Sequence, residues 1–189
     1  MNQYCILIHY HELGLKKDNK TWFEKIFQQN ISTHINNLKF QNINTYASRV
    51  LIYGINQKKW KFYREKLKNV MGLKNATLMI KTDADIDKIK QIAKKLTEKM
   101  NFNSFRITTK RQDKGFKLTS QEINEIVGAS VQKITNKSVS LNNPDLNIII
   151  EIVRGQAFVG SDKVEGYGGL PNGSCETAVS LLSSGIDSP

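Results

Sequence analysis

A short apolar stretch, Ala178 to Leu182, runs into Ser183, Ser184, Gly185, Ile186, Asp187 and Ser188. Small residues let a backbone approach an anion closely, and successive N–H groups in such a turn can point into one concavity, so a phosphate is the natural guest. The same residues would also serve as an ordinary turn after a strand, and the helix that usually backs a phosphate loop would lie beyond Pro189. A second set of residues is basic. Arg106, Lys110, Arg111, Lys114 and Lys117 are interleaved with Phe105 and Phe116, a pattern suited to phosphate contacts that position a polyanion without reading its sequence. Lys16, Lys17 and Lys20 could extend that track, whereas Lys58, Lys59, Lys61, Lys66 and Lys68 read more simply as a solvated helix face.

Metal and thiol chemistry are poorly supported. Cys5 and Cys175 lie near opposite ends with no Cys-x-x-Cys spacing, which argues against a zinc site or a disulfide framework. Cys5 reads as a small apolar strand residue. Cys175 has no histidine partner nearby and is not assigned as a nucleophile. His9 and His11 share one side of a strand, but two ligands are too few to hold a metal.

The balance of 28 Lys plus Arg against 17 Asp plus Glu gives a formal charge of +11 over 189 residues, which favours a polyanionic partner. Nucleic acid comes first. No apolar run approaches the roughly 20 residues that span a bilayer, and Met1 to Leu13 lacks the pattern of a signal peptide, so a cytoplasmic protein with no membrane partner is expected.

The elements that would carry these residues follow from periodicity. Tyr4 to Tyr10 alternates as a strand; Phe23, Ile26, Phe27, Ile31, Ile35 and Leu38 form a helical stripe, with Thr21 and Glu24 at capping-box spacing. Thr45 to Ile55 reads as one strand region, Asn56 to Val70 as a second helix with Gly72 as its C-cap, and Asn75 to Lys81 as a returning strand. The next unit offers a helix through Ile86, Ile89, Ala93, Leu96 and Met100, then a strand from Asn103 to Lys110 whose Arg106, Thr108 and Lys110 share the exposed face. A capping box at Thr119 and Glu122 opens another helix, and strands follow at Val139 to Leu141, Leu146 to Val153 and Gln156 to Lys163, the last two joined at Arg154 and Gly155. From Glu165 to Gly173 glycines crowd together, the mark of a connector.

Four stretches together resemble one family. Glu165, Gly166, Tyr167, Gly168, Gly169, Leu170, Pro171, Asn172 and Gly173 look like the connector that precedes the pyrophosphate loop in tRNA 4-thiouridine synthetases, also called tRNA sulfurtransferases. The loop at Ser183 to Ser188 is similar to the Ser-Gly-Gly-x-Asp-Ser pattern of ATP-dependent adenylating enzymes, with Ser184 in place of the first glycine. Leu7, Ile8, Tyr10, Glu12, Lys16, Asn19, Lys20 and Phe23 resemble that family's first strand and helix, and Asn143, Pro144, Asp145 and Leu146 its Asn-Pro-Asp-Val turn.

The resemblance implies an α+β fold: a ferredoxin-like domain at residues 1–81, a THUMP RNA-binding domain at 82–165, a connector at 166–175, and at 176–189 the truncated start of an adenylating domain. A lone first strand has nothing to pair with, so Glu176 to Pro189 is expected to be disordered or to make ad hoc contacts. By position, Leu181 and Leu182 would lend backbone to the nucleotide, and Ser183, Ser184, Gly185, Asp187 and Ser188 would form the phosphate loop. A β-carbon on Ser184 would cost about 1 to 2 kcal/mol if that site needs a left-handed backbone. The implied partner is tRNA, held by Arg106, Lys110, Arg111, Lys114, Lys117, Lys16 and Lys20. The complete enzyme would use ATP with Mg2+ to adenylate the C4 oxygen of uridine and would take sulfur from a persulfide made by a cysteine desulfurase, as a homodimer and in some members also for the thiamine thiazole. The family's catalytic cysteines lie downstream, so these residues alone are expected to bind tRNA, to hold no nucleotide tightly and to catalyse nothing. A non-catalytic RNA-binding adaptor is the alternative reading.

Overall fold

A computed structural model describes residues 3–10, 19–98 and 100–176. In chain order its elements are β1 (Gln3–Tyr10), α1 (Lys20–His34), β2 (Asn42–Thr45), β3 (Val50–Tyr53), a 3-10 turn (Gln57–Lys59), α2 (Trp60–Leu67), β4 (Leu73–Asp83), α3 (Ile86–Thr97), β5 (Ser104–Arg111), α4 (Ser120–Thr135), β6 (Ser138–Val139), β7 (Leu146–Val153) and β8 (Gln156–Glu165). The phosphate-loop residues Leu181 to Ser188, the other residues after Glu176, and Lys16 lie outside the described residues.

All the strands join one sheet in the order β2-β3-β1-β4-β8-β7-β5-β6. β5 runs parallel to both its neighbours, and the remaining pairs are antiparallel. The junction expected at residues 81 and 82 falls inside β4, which pairs with β1 on one side and β8 on the other, so a single strand serves both halves.

Alternation decides the layers. Ile6, Ile8 and Tyr10 of β1 and Ala76 of β4 meet Phe23, Phe27 and Ile31 of α1 and Tyr63 and Leu67 of α2 in a first core. On the same face of the sheet, Ile80, Ile148, Ile150, Ile152 and Val159 meet Ile89 and Ala93 of α3 and Ile123 and Val127 of α4 in a second. Phe27, Tyr63, Ile89 and Ile123 are fully buried, as the 3.6-residue spacing requires of a core-facing stripe.

The opposite face carries no helix, yet Cys5, Leu7, Leu51, Met79, Ile149 and Phe158 are buried there in a third core. Coiling of the sheet explains it. Three strand spacings separate β1 from β7, about 14 Å in a flat sheet. The register widens the gap, because His9 stands level with Asn75 and Glu165, while Glu151 stands opposite Phe158, seven residues back along β8. His9 Nε2 nevertheless lies 2.6 Å from Glu151 Oε1, so the sheet folds diagonally over its own helix-free face. The register slips between Thr77 and Met79 opposite β8, and Gly160 sits at that slip. A β-carbon on Gly160 would stand 2.1 Å from the Leu78 carbonyl oxygen, so only glycine permits the close approach.

Local chemistry corrects several sequence-based expectations. The strand expected over Thr45–Ile55 is confined to Val50–Tyr53 and is joined to the preceding strand Asn42–Thr45 by a reversal at Tyr46–Arg49, whose end residues exchange backbone hydrogen bonds of 2.8 and 3.0 Å. Ala47 and Ser48 take φ of 47 and 60 degrees, values that hairpins usually reserve for Asn and Gly, so no turn signature marked the site. The second helix is shorter than Asn56–Val70, and Gly72 does not cap it: Gly72 has φ +93 and donates its N–H to the Gly168 carbonyl at 2.7 Å. Thr21 and Glu24 form no capping box, because Asn19 stands at the N-cap without a side-chain bond and Glu24 accepts from the Tyr10 hydroxyl instead. The Thr119 and Glu122 box is made in full, with bonds of 3.2 and 2.6 Å. Cys5 is buried and its thiol is pushed up to about 12, chiefly by desolvation and against the charge of Lys81, so it stays protonated and unreactive at neutral pH.

After β8 the connector turns back along the first half. Gly166 and Gly168 donate to the carbonyls of Lys74 and Leu73, and Asn30 Nδ2 donates to the Asn172 carbonyl at 2.9 Å. Pro171 is buried there, beside Gly72.

Candidate nucleic-acid interface

β5 places Arg106, Thr108 and Lys110 on the helix-free face, level with Asn147, Ile149 and Glu151 of the parallel strand β7. With Asn75, Thr77 and Lys163 from β4 and β8 they line a polar cavity of about 140 Å³. The sequence reading left this strand face open to solvent, but the coiled sheet half-covers it: Lys110 is exposed, while Arg106 and Thr108 are only partly so. Arg106 donates to the Leu141 carbonyl at 2.8 Å, which anchors its guanidinium on the loop that precedes β7, and its Nε is buried without a hydrogen-bond partner. Thr108 donates to Asn147 Oδ1 at 2.7 Å. That loop is itself fixed by Asp145, which accepts from the backbone N–H groups of Asn103 and Ser104; these bonds hold its carboxyl below the usual carboxylate range.

Arg111 plays a different part from the one its position suggested. Its guanidinium donates to the Phe116 carbonyl at 2.6 Å and so shapes the loop after β5. Asp113 closes the same loop by accepting from the N–H of Gly115 and from that of Gly155 in the β7–β8 turn. Lys114 and Lys117 stand exposed on this loop, in no ion pair with the described residues.

Residues from the two halves meet at the β2–β3 turn. Arg49 donates from Nε to Glu151 Oε2 at 2.6 Å and from its terminal nitrogen to Gln112 Oε1 at 2.7 Å, while His9 binds the other carboxylate oxygen of Glu151. Glu151 is 2% exposed. Burial alone would raise its carboxyl, but the hydrogen bonds and charges of His9 and Arg49 outweigh that effect and hold it below its usual value. Tyr46 packs edge-on against Phe158 and lies under the guanidinium of Arg154 at 5.6 Å. We call this cluster the clasp. Sequence analysis gave His9 no acidic partner, because the partner lies 142 positions away.

The clasp brings some of the expected cations together. Lys20 donates to Ser48 Oγ at 2.8 Å. Ser48, Gln112, Asp113, Lys114 and Arg154 line one cleft of about 440 Å³, and Lys20, which also pairs with Glu24 at 3.7 Å, touches that lining only through Ser48. Arg106 and Lys110 face the separate cavity on β5, and Lys117 stands outside both. Two cations escaped the sequence reading. Arg154 was absorbed into a tight turn, where its φ of 48 degrees gives the signal in hindsight: a bulky cation held in a left-handed position beside Gly155. Lys163 was read as the end of a strand, and it also pairs with Glu165 at 2.5 Å.

Among the described residues no group of three or more His, Cys, Asp or Glu could hold a metal ion, and no helix is long and apolar enough to cross a membrane. Cations from both halves and one coiled sheet therefore make the basic surface of a two-module protein, a class in which a βαββαβ unit is fused to a second α/β unit. Family comparison gives both modules their names. Residues 5–77 match the ThiI ferredoxin-like domain and residues 83–162 match the THUMP domain, so the chain carries the first followed by the second.

Close relatives agree over nearly the whole chain. A protein of Thermoanaerobacter pseudethanolicus named "Probable tRNA sulfurtransferase" is 37% identical over 188 residues, covering 99% of this chain and 49% of the relative. A solved 4-thiouridine synthetase in complex with RNA and ATP superposes with a TM-score of 0.77 at 30% identity, over 98% of this chain and 48% of that one. The protein PH1313 from Pyrococcus horikoshii gives 0.80 at 30% identity, over 92% and 58%. The chain thus spans about half the length of the curated relatives it matches.

Proposed function

We propose that this chain is the tRNA-docking part of an ATP-dependent tRNA sulfurtransferase that makes 4-thiouridine. The observation that carries the reading is the joining of the ThiI ferredoxin-like and THUMP modules, through the clasp, into one surface where Lys114 and Arg154 line a single cleft and Lys20 bonds to its Ser48. These cations would hold tRNA phosphates and fix its orientation, while shape rather than base sequence selects the RNA. Arg111 acts indirectly in this scheme, by holding the loop that presents Lys114 and Lys117.

In the complete enzyme, ATP with Mg2+ would supply an adenylate at the uridine C4 oxygen, and a persulfide loaded by a cysteine desulfurase would supply sulfur. Leu181 to Ser188, which this reading gives to ATP, lie outside the described residues, so the fold supports only the RNA-docking part. A homodimer, a cytoplasmic location and a role in thiamine thiazole synthesis belong to the same proposal and rest on family resemblance.

Filter binding of tRNA over a range of salt tests the reading. Replacing Lys114 and Arg154 together by alanine is expected to weaken binding and to flatten the slope of log affinity against log salt by about two, one for each lost phosphate contact. Unchanged affinity and slope in that variant would remove this surface from the mechanism.

A further inference from the structure

On the helix-free face, Asn75 and Thr77 of β4 are 7% and 2% exposed, and among the described residues neither side chain finds a hydrogen-bond partner. Both line the cavity of about 140 Å³ that they share with Arg106, Thr108 and Lys110 of β5. The Nε–H of Arg106 is buried and likewise lacks an acceptor. A buried polar group without a partner is destabilising, so each of these groups marks a place where a guest can supply one. Thr108 donates to Asn147 Oδ1 at 2.7 Å, which leaves the Asn147 amide nitrogen as a further donor.

Charge and size define the guest. Arg106, Lys110 and Lys163 line the cavity against one carboxylate, Glu151, whose two oxygens already accept from His9 and Arg49. Lys163 also pairs with Glu165, but both side chains reach solvent, where such a pair is weak. Ile149 is the one apolar residue of the lining, so neither a cation nor an apolar molecule suits it. A cavity of roughly 150 Å³ takes a molecule the size of benzene, whereas pockets for larger organic ligands begin at roughly 300 Å³. A tetrahedral oxyanion fits here and a nucleotide does not.

We propose that this cavity binds one free tetrahedral oxyanion, inorganic phosphate or sulfate, with Arg106, Lys110 and Lys163 as charged donors and Asn75 and Thr77 as neutral ones. The proposal does not depend on the RNA-docking reading above. Its ligand is a small ion in solution, and the cavity is separate from the cleft of Lys114 and Arg154. Lys163 sits on a flexible stem, so it can leave Glu165 for the ion. Asn75 and Thr77 belong to the ferredoxin-like module, and Arg106 and Lys110 to the THUMP module. The ion therefore ties the two modules together beside the clasp.

Isothermal titration of the chain with inorganic phosphate, chloride holding the ionic strength constant, tests this. One phosphate per chain is expected. Arg106→Gln and Lys163→Met should each weaken it by about tenfold or more, the loss of one charge-assisted hydrogen bond, while Lys114→Ala in the other cleft should leave it within about twofold. Should Arg106→Gln not fold, Lys163→Met at the cavity rim must still show the loss. Phosphate should also raise the unfolding midpoint of the wild type more than that of Lys163→Met, because a ligand stabilises only the fold that binds it. Dimethyl phosphate, which mimics the RNA backbone, should bind about tenfold more weakly than phosphate, since its methyl groups exceed the cavity. No saturable binding would mean that water alone fills the cavity, and equal binding in all three variants would mean an adventitious ion only. Either result overturns the proposal, as does dimethyl phosphate binding as tightly as phosphate, which would give the cavity to a nucleic-acid backbone instead.

Discussion

The two faces of the sheet are held in different ways. The helix-bearing face is stabilised by apolar area: Phe27, Ile31, Tyr63, Ile89 and Ile123 lie buried against strands, and many such contacts share the load. The helix-free face has only a small apolar core, closed at one corner by Arg49, Glu151 and His9. One face therefore spreads its stability over many apolar contacts, whereas the other adds a buried carboxylate to a few. The buried ion pair of Arg49 and Glu151 closes the second, so pH should separate them.

The sharpest way to break the contrast is Glu151→Ala. Removing one partner of a buried pair leaves Arg49 uncompensated and is expected to cost about 3 to 5 kcal/mol in denaturant unfolding. Phe27→Ala should cost a similar amount on the other face, through the cavity it leaves. If Glu151→Ala proves nearly neutral, the clasp is ornament and the apolar core alone closes the coil.

Acid separates the two variants. The Glu151 carboxyl is held low in the fold, so its contribution is complete above the unfolded value near ~4.3 and is lost as pH falls through the folded value. The stability gap between wild type and Glu151→Gln should therefore narrow as pH drops from about 7 to about 3, whereas the gap to Phe27→Ala should stay level. Parallel gaps across that range would show that the carboxylate is not the feature that distinguishes the faces. Smallest is Thr119→Ala, which removes the α4 capping box and is expected to cost about 1 kcal/mol with no dependence on the clasp.

The same contrast explains what the sequence revealed. Residues of the helix-bearing face announce themselves locally, by stripes such as Ile123, Val127 and Val131 and by the Thr119 to Glu122 spacing. The alternation of Arg106, Thr108 and Lys110 likewise told which residues share a face, but not that the sheet would coil over it. That coil depends on pairs such as His9 with Glu151 and Arg49 with Gln112, which no local pattern connects. The Ala47 and Ser48 reversal stayed hidden because its residues contradict the usual turn preference, and with it went the cleft that brings Lys114 and Arg154 together.

The connector has a mechanical consequence. After visiting the THUMP half, the polypeptide returns to lie beside α1, pinned by Gly168 to Gly72 and by Asn172 to Asn30. Tension applied at Glu176 would thus be borne first by the ferredoxin-like half, and would reach the β7–β8 hairpin only after these anchors had yielded.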